Sequence, residues 1–366
     1  MADAPEIAVV GAGIVGLATA YALVKRGATV RIYESGIPGN GQSAGESRIF
    51  RHAHHDPRLV ELARYSRAVW GEWEQRFGVE LVSPDGVVAI GPKASDRLAV
   101  LERAGGVPAR AIGAAELAER MPLLAPYDGP AMLDEGGGAI RTGAAIAALA
   151  GALGDAIVTG EVISLRPLAG GRVELRSVGE RADYTSVVVC AGRETARLAR
   201  GVGLSLPVRL AAHVRLTFGV KGTPPERIAC LQDGSGEFGE AGVYATPQPG
   251  NVRYSVGLSQ TVAVRDDGAL LDPGELASLG DRARAYVARA LPGLDPEPVG
   301  FVHCWVTDLP WSEDGFAVWE EDRMLFATGH NLFKQAPWLG RALARAATGE
   351  GLEPDLLPAA RLGEPR

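Results

Sequence analysis

Cysteine is scarce in this sequence. Cys190, Cys230 and Cys304 are spread along 366 residues, and no two form a CxxC pair. That excludes a disulfide framework and a zinc site of the usual spacing, and it suits a reducing compartment, so a cytoplasmic protein is expected. Basic charge is also short, with 37 Lys and Arg against 44 Asp and Glu, a net charge of −7 and no Lys/Arg block. Neither nucleic acid nor a membrane surface is therefore an expected partner. The opening residues Met1 to Glu6 carry no basic stretch ahead of the first apolar run, so no secretory signal is expected. No internal repeat is visible. What the chain does have is apolar content, 46%, enough for a sizeable core and too much for general disorder. Its length calls for two domains or one elaborated domain.

The richest stretch lies between Ile7 and Ser35. An apolar run, Ile7 to Val10, meets Gly11, Gly13 and Gly16 in the pattern G-x-G-x-x-G, and Ile14, Leu17, Ala18, Tyr21 and Ala22 then share one helical face. Lys25, Arg26 and Gly27 suit a helix end, and Thr29 to Tyr33 reads as a second strand closed by Glu34. A dinucleotide needs this order of residues. Gly11 permits the sharp turn, Gly13 lets a pyrophosphate approach the backbone, and Gly16 lets helix and strand pack closely. Glu34, about 20 residues further on, can accept hydrogen bonds from both ribose hydroxyls. A membrane span over Ile7 to Val24 is the competing reading, and the three glycines and the charges after Val24 speak against it.

A loop rich in Gly and Ser follows, Ser35 to Gly45, able to wrap amides around a cofactor. Arg48 and Arg51 come next, three apart, and would share a face on a helical turn; a solvated surface face is the alternative. Arg58 to Phe77 reads as an amphipathic helix with Trp70 and Trp73 in the core. His52, His54 and His55 are taken as solvated loop residues and not as metal ligands. Val79 to Val82 and Val87 to Ile90 read as a hairpin around Ser83-Pro84-Asp85-Gly86. Helices are expected near 97–103, 115–120, 143–153, 276–290 and 337–347. Strands are expected at 156–165, 173–176, 184–189, 301–307, 316–319 and 324–328, with a loop at 292–298. Alternation at 214–220, 242–246 and 252–258 predicts an antiparallel sheet with one wet face.

Five segments together carry a resemblance. They are GAGIVG with Glu34, GESRIFRHAHHD (Gly45 to Asp56), VVVCAG (Val187 to Gly192), HCWVT (His303 to Thr307) and GHNLFKQAP (Gly329 to Pro337). In this order they resemble the amine-oxidising flavoproteins of the D-amino-acid oxidase superfamily, in particular the monomeric sarcosine oxidase and N-methyltryptophan oxidase branch. The resemblance runs over nearly the whole chain, though the inserted domain matches only in outline. It implies an α/β protein with a Rossmann-type, GR2-like FAD-binding domain (1–78, 140–205, 300–366) and an inserted antiparallel-sheet α+β substrate domain (79–139, 206–299).

The implied cofactor is FAD. Its implied contacts are Gly11, Gly13, Ile14, Val15, Gly16, Glu34, Ser43, Ser47, Arg48, Val162, Ala191, Gly192, Cys304, Gly329, Asn331, Leu332, Phe333 and Lys334. Cys304 matches the cysteine that bonds the flavin 8α-carbon, implying covalent attachment. Arg48 matches a position beside the flavin ring, and Arg51 and Lys334 match the pair that holds a substrate carboxylate, as a guanidinium fork and an ammonium can. Arg48, Arg51 and Lys334 are the catalytic candidates, and Trp305 and Ser255 join Arg51 and Lys334 at the substrate.

The sequence departs from that branch in three places. Ser255 stands at the position of a lysine that promotes oxygen reaction, Ala44 at that of a histidine, and Val306 near that of an aromatic residue. Sarcosine itself is therefore not the expected substrate. The implied reaction is oxidation of the C–N bond of a secondary, cyclic or N-alkyl amino acid to an imine. Oxygen or another electron acceptor is a partner, and the protein is expected to act as a monomer. An NAD-linked dehydrogenase and a non-catalytic flavin-carrying subunit are the alternatives.

Overall fold

The computed structural model describes residues 6–364. In chain order its strands and helices begin with β1 (Glu6–Val10), α1 (Ile14–Lys25), β2 (Thr29–Glu34), β3 (Ser47–Phe50), α2 (Pro57–Phe77), β4 (Val87–Ile90) and α3 (Lys93–Ala104). Next are β5 (Ala109–Ala111), α4 (Ala114–Arg120), β6 (Ala131–Asp134), β7 (Gly138–Arg141), α5 (Thr142–Leu153), β8 (Ile157–Thr159), β9 (Val162–Leu168), β10 (Arg172–Ser177), β11 (Glu180–Tyr184) and β12 (Ser186–Val189). The remainder is α6 (Thr195–Gly201), β13 (Arg209–Val220), β14 (Cys230–Asp233), β15 (Val243–Pro247), β16 (Arg253–Leu258), β17 (Val262–Ala263), α7 (Pro273–Ala290), β18 (Leu294–Asp308), β19 (Phe316–Glu321), β20 (Met324–Gly329) and α8 (Leu332–Arg345).

The chain divides into two units, each assembled from separated segments. One takes the described residues up to Ala44, Gly143–Arg209 and those from Thr307 onward; the other takes Gly45–Thr142 and Leu210–Val306. All four borders differ from those expected, most of all at residues 45–78 and 300–306. Residues 45–78 join the second unit because β3 pairs antiparallel with β7, Ser47 opposite Arg141, and α2 packs on α3. Residues 300–306 join it because β18 pairs with β13.

The first unit is built on a six-stranded sheet in the order β19-β20-β12-β1-β2-β8, parallel except for β19. Ile7 to Val10 are buried throughout, as a central parallel strand covered on both faces requires. Helix α8 packs on α1 so closely that a Cβ on Gly340 would stand 2.6 Å from the Ala18 carbonyl carbon. Two expected strands are each broken in two. Gly160 ends β8 by donating its N–H to the Glu34 carbonyl, and β9 leaves for a separate sheet with β10 and β11. Thr185 likewise donates to the Glu6 carbonyl and separates β11 from β12.

The second unit carries a larger sheet in the order β17-β13-β16-β15-β14-β4-β6-β5, with β18 also on β13. It is mixed, not wholly antiparallel, since β4 and β14 run parallel. Ala212, Val214, Leu216 and Phe218 of β13 face a core with Leu276, Ala283, Tyr286 and Val287 of α7. The opposite face of β13 was expected to be wet and is instead buried, with His213, Arg215 and Thr217 all enclosed.

The expected hairpin at 79–90 does not form. The Glu74 carboxylate accepts the amides of Leu81 and Val82, both at 2.9 Å, so those donors are satisfied by a side chain and not by a ladder. Val82 makes an isolated bridge to Ile140. Most of the expected loop at 292–298 is instead the start of β18, which begins at Leu294 and takes in Pro296 and Pro298. Helix α8 begins five residues before Pro337, so that proline lies inside the helix and not at its start.

Candidate functional site

The glycine turn belongs to the first unit. Gly11 takes φ +98°, and a Cβ there would lie 2.6 Å from the Cys190 carbonyl oxygen at the end of β12. A Cβ on Gly16 would strike the Gly11 carbonyl, and one on Gly13 would approach Ser43 Oγ at 3.2 Å. Only bare backbone fits at this turn. Helix α1 starts at Gly13 with no side-chain cap and no acidic residue in its first turn. Its amide at Ile14 donates to Ser43 Oγ at 3.0 Å, and the Ala12 amide donates to the Glu34 carboxylate at 2.8 Å.

A helix N-terminus opened by a glycine, a cradle that a methyl group would fill and a carboxylate at the end of β2 suit a dinucleotide diphosphate and its ribose. Ala191 and Gly192 follow β12 next to this turn, and a Cβ on Gly192 would meet Gln42 Oε1 at 2.5 Å. Ile14 and Val15 open α1 as buried residues. Val162 opens β9, and its carbonyl accepts from Arg197 at 3.2 Å.

The entry to α8 is the other part of the site in this unit. Gly329 and Asn331 take positive φ, +147° and +56°, which swings the chain from β20 into the helix. The Asn331 side-chain amide donates to Asp314. Leu332, Phe333 and Lys334 form the first turn. Lys334 is only 4% exposed, and its Nζ lies 4.0 Å from Asp314 Oδ1. His330 donates from Nδ1 to the Glu313 carbonyl at 2.8 Å and lies 3.6 Å from Asp308. Burial holds its pKa below the ordinary histidine value, with Lys334 pushing the same way against Asp308 and Asp314.

The remaining candidates lie in the second unit. Arg48 sits on strand β3, not on a helical turn, and Arg51 follows the strand. Arg51 donates to the Ala53 carbonyl and lies 3.5 Å from His54 Nδ1. His52 and His54 are buried, contrary to their reading as solvated loop residues; at His52, Asp134 accepts both the backbone amide at 2.7 Å and Nδ1 at 2.9 Å. Asp56 caps α2. No cluster of His, Cys, Asp or Glu able to hold a metal occurs among the described residues.

Ser255 is buried and bonded to Thr217 and Gln248, both at 3.1 Å. Trp305 donates to the Gly268 carbonyl at 2.9 Å. Cys304 is a free, half-buried thiol.

Sequence reasoning missed Arg215 and Tyr244. Arg215 and Arg48 both donate to the Ser47 carbonyl, at 2.9 and 3.0 Å. Burial, and then the neighbouring Arg215, pull the Arg48 pKa down to about 10. Burial pushes the Tyr244 phenol up to about 12 against the pull of both arginines. The signal for Arg215 was available, since it falls in phase with His213 and Thr217 on the polar side of an alternating strand.

No helix among the described residues is long and apolar enough to cross a membrane. The FAD dependent oxidoreductase family, DAO, matches residues 6–346. The peroxisomal sarcosine oxidase of Homo sapiens is 27% identical over 365 residues, covering 93% of this chain and 91% of the relative. The N-methyl-L-tryptophan oxidase of Yersinia pestis (strain Pestoides F) is 24% identical over 314 residues, covering 79% and 80%. Among solved structures, NikD, described as an unusual amino acid oxidase essential for nikkomycin biosynthesis, superposes with a TM-score of 0.83 at 21% identity, covering 99% of this chain and 98% of its own.

Proposed function

Since the chain belongs to the family of FAD dependent oxidoreductases, we propose that it oxidises the C–N bond of a secondary, cyclic or N-alkyl amino acid to the imine. The family match over residues 6–346 sets the NAD-linked alternative aside. FAD, bound along the glycine turn, supplies the two-electron acceptor. The protein supplies orientation and charge.

Arg51 and Lys334 are the proposed carboxylate partners, the first through a planar fork and the second as a point charge. The observation that carries this reading is Lys334, an ammonium 4% exposed in the first turn of α8. A substrate carboxylate would join Asp314, whose Oδ1 stands 4.0 Å from the Lys334 Nζ, in balancing that buried cation, and the positive end of the helix adds to the attraction. Substrate amine entering unprotonated needs no side-chain base. Ser255 and Trp305 are assigned to the substrate side, and Arg48 and Ser47 to the cofactor.

Cys304 is assigned to a thioether with the flavin. Oxygen is the proposed final acceptor, the protein works as a monomer, and the three free cysteines suit the cytoplasm. The test is anaerobic mixing of the yellow protein with a panel of N-methyl and cyclic amino acids. Loss of flavin absorbance with at least one of them is expected; a flavin that none of them bleaches overturns the reading in favour of a non-catalytic carrier.

A further inference from the structure

In the second unit, two guanidiniums meet at one carbonyl oxygen. Arg215 donates to Ser47 O at 2.9 Å and Arg48 donates to it at 3.0 Å. Arg215 is 4% exposed, and no carboxylate pairs with it among the described residues. A buried cation whose acceptor is a single shared carbonyl is costly, and a second cation beside it raises that cost. An anion placed between the two would remove both penalties.

The neighbouring residues supply further donors for that anion. Arg215 lies opposite Gly257, and Gly257 lies opposite Tyr244, so the three form one row across the sheet. The missing side chain at Gly257 matters, because a Cβ there would run into the Tyr244 ring at 2.5 Å. Tyr244 can thus lean over its neighbour toward Arg215, and its hydroxyl has no hydrogen bond among the described residues. On the other side, Gly45 lets both guanidiniums come close against its backbone. A Cβ there would collide with Arg215 Nη2 and stand 2.8 Å from Arg48 Nη1. Ser47 Oγ is buried with no hydrogen-bond partner among the described residues.

We propose that Arg215, Arg48 and the Tyr244 hydroxyl form a subsite for a second acidic group on the substrate. The preferred substrate is then an N-substituted amino acid carrying two carboxylates. This rests on the proposed C–N oxidation and narrows its substrate class. Arg215 is the specificity-determining residue, since Arg48 is also assigned to the cofactor.

The experiment titrates the flavin-loaded protein with two thioethers that have no C–N bond to oxidise, thiodiacetate and (methylthio)acetate, following the flavin absorbance change. The diacid is expected to bind at least tenfold more tightly than the monoacid, about the worth of one charge-assisted hydrogen bond. Arg215→Met is expected to bring the ratio of the two dissociation constants to about one, and Arg215→Lys to retain most of it. Tyr244→Phe, which removes one oxygen and leaves the buried charge in place, is expected to cut the ratio about threefold and serves if Arg215→Met does not fold.

Equal affinities in the parent protein, or a ratio that survives Arg215→Met, overturn the subsite. A ratio unchanged by Arg215→Met together with a shifted flavin midpoint potential assigns the pair to the cofactor and also overturns it. Failure of the C–N reading shows separately, as a flavin that no amine bleaches.

Discussion

The Glu34 carboxylate accepts the backbone N–H of Ala12 at 2.8 Å, tying the end of one parallel strand to the turn after its neighbour. The carboxylate is thereby aimed at the same turn that exposes the first amides of α1. Glu34→Gln keeps the shape and removes the charge. A charge-assisted hydrogen bond is worth about 1.5–3 kcal/mol, so flavin affinity is expected to fall roughly ten- to hundredfold. Ultrafiltration of a reversibly loaded protein, made in a Cys304→Ser background, measures it.

Gly16→Ala tests the turn itself. The added methyl would strike the Gly11 carbonyl, which is backbone and cannot rotate away. Overpacking of this kind costs about 1–3 kcal/mol. A lower melting temperature and a colourless preparation are expected; a yellow protein of parental stability would refute the packing argument.

Much of this turn could be read from residue order alone, because the glycines, the helix and Glu34 lie within one short βαβ segment where local spacing decides geometry. Lys334 was legible only through its motif, since nothing in its neighbours' periodicity marks a buried cation. Arg215 was not recognised, although its phase on β13 was. Alternation tells which residues share a face, but whether that face meets water depends on segments far away in sequence, such as β3, whose Ser47 carbonyl accepts from Arg215. The same non-locality hid the fate of 79–82, whose amides are claimed by Glu74.

Arg51→Met should weaken carboxylate-bearing substrates while leaving the flavin spectrum unchanged. Loss of a bidentate contact is expected to raise KM by about a hundredfold or lower kcat/KM by the same factor. Steady-state kinetics on the best amine from the panel decides. Unchanged turnover of every amino acid would remove Arg51 from the site.

Covalent flavin is tested by acid precipitation. Yellow colour is expected in the pellet of the parent protein and in the supernatant of Cys304→Ser. Colour in the parent's supernatant would rule the linkage out.

His330 gives a pH dependence. Its folded pKa lies below the unfolded value, chiefly through burial and further through Lys334, with Asp308 and Asp314 opposing. Between the two values the unfolded chain holds more protons, so stability increases with pH there. The contribution is therefore complete above the unfolded value of about 6.5 and is lost as pH falls through the lower folded value. Melting temperatures between pH 8 and pH 5 should decline less steeply for His330→Gln than for the parent.

The contact of Gly340 with Ala18 bears on how the molecule is made. The helix that follows the glycine turn is synthesised some three hundred residues before the helix that covers it. Until residue 340 is made, the uncharged stretch from Ile7 to Val24 lacks this covering helix, and the contact waits on pairing across more than three hundred positions of sequence. Contacts so far apart close slowly. Closure of the α1–α8 contact is therefore a late, non-local step of folding.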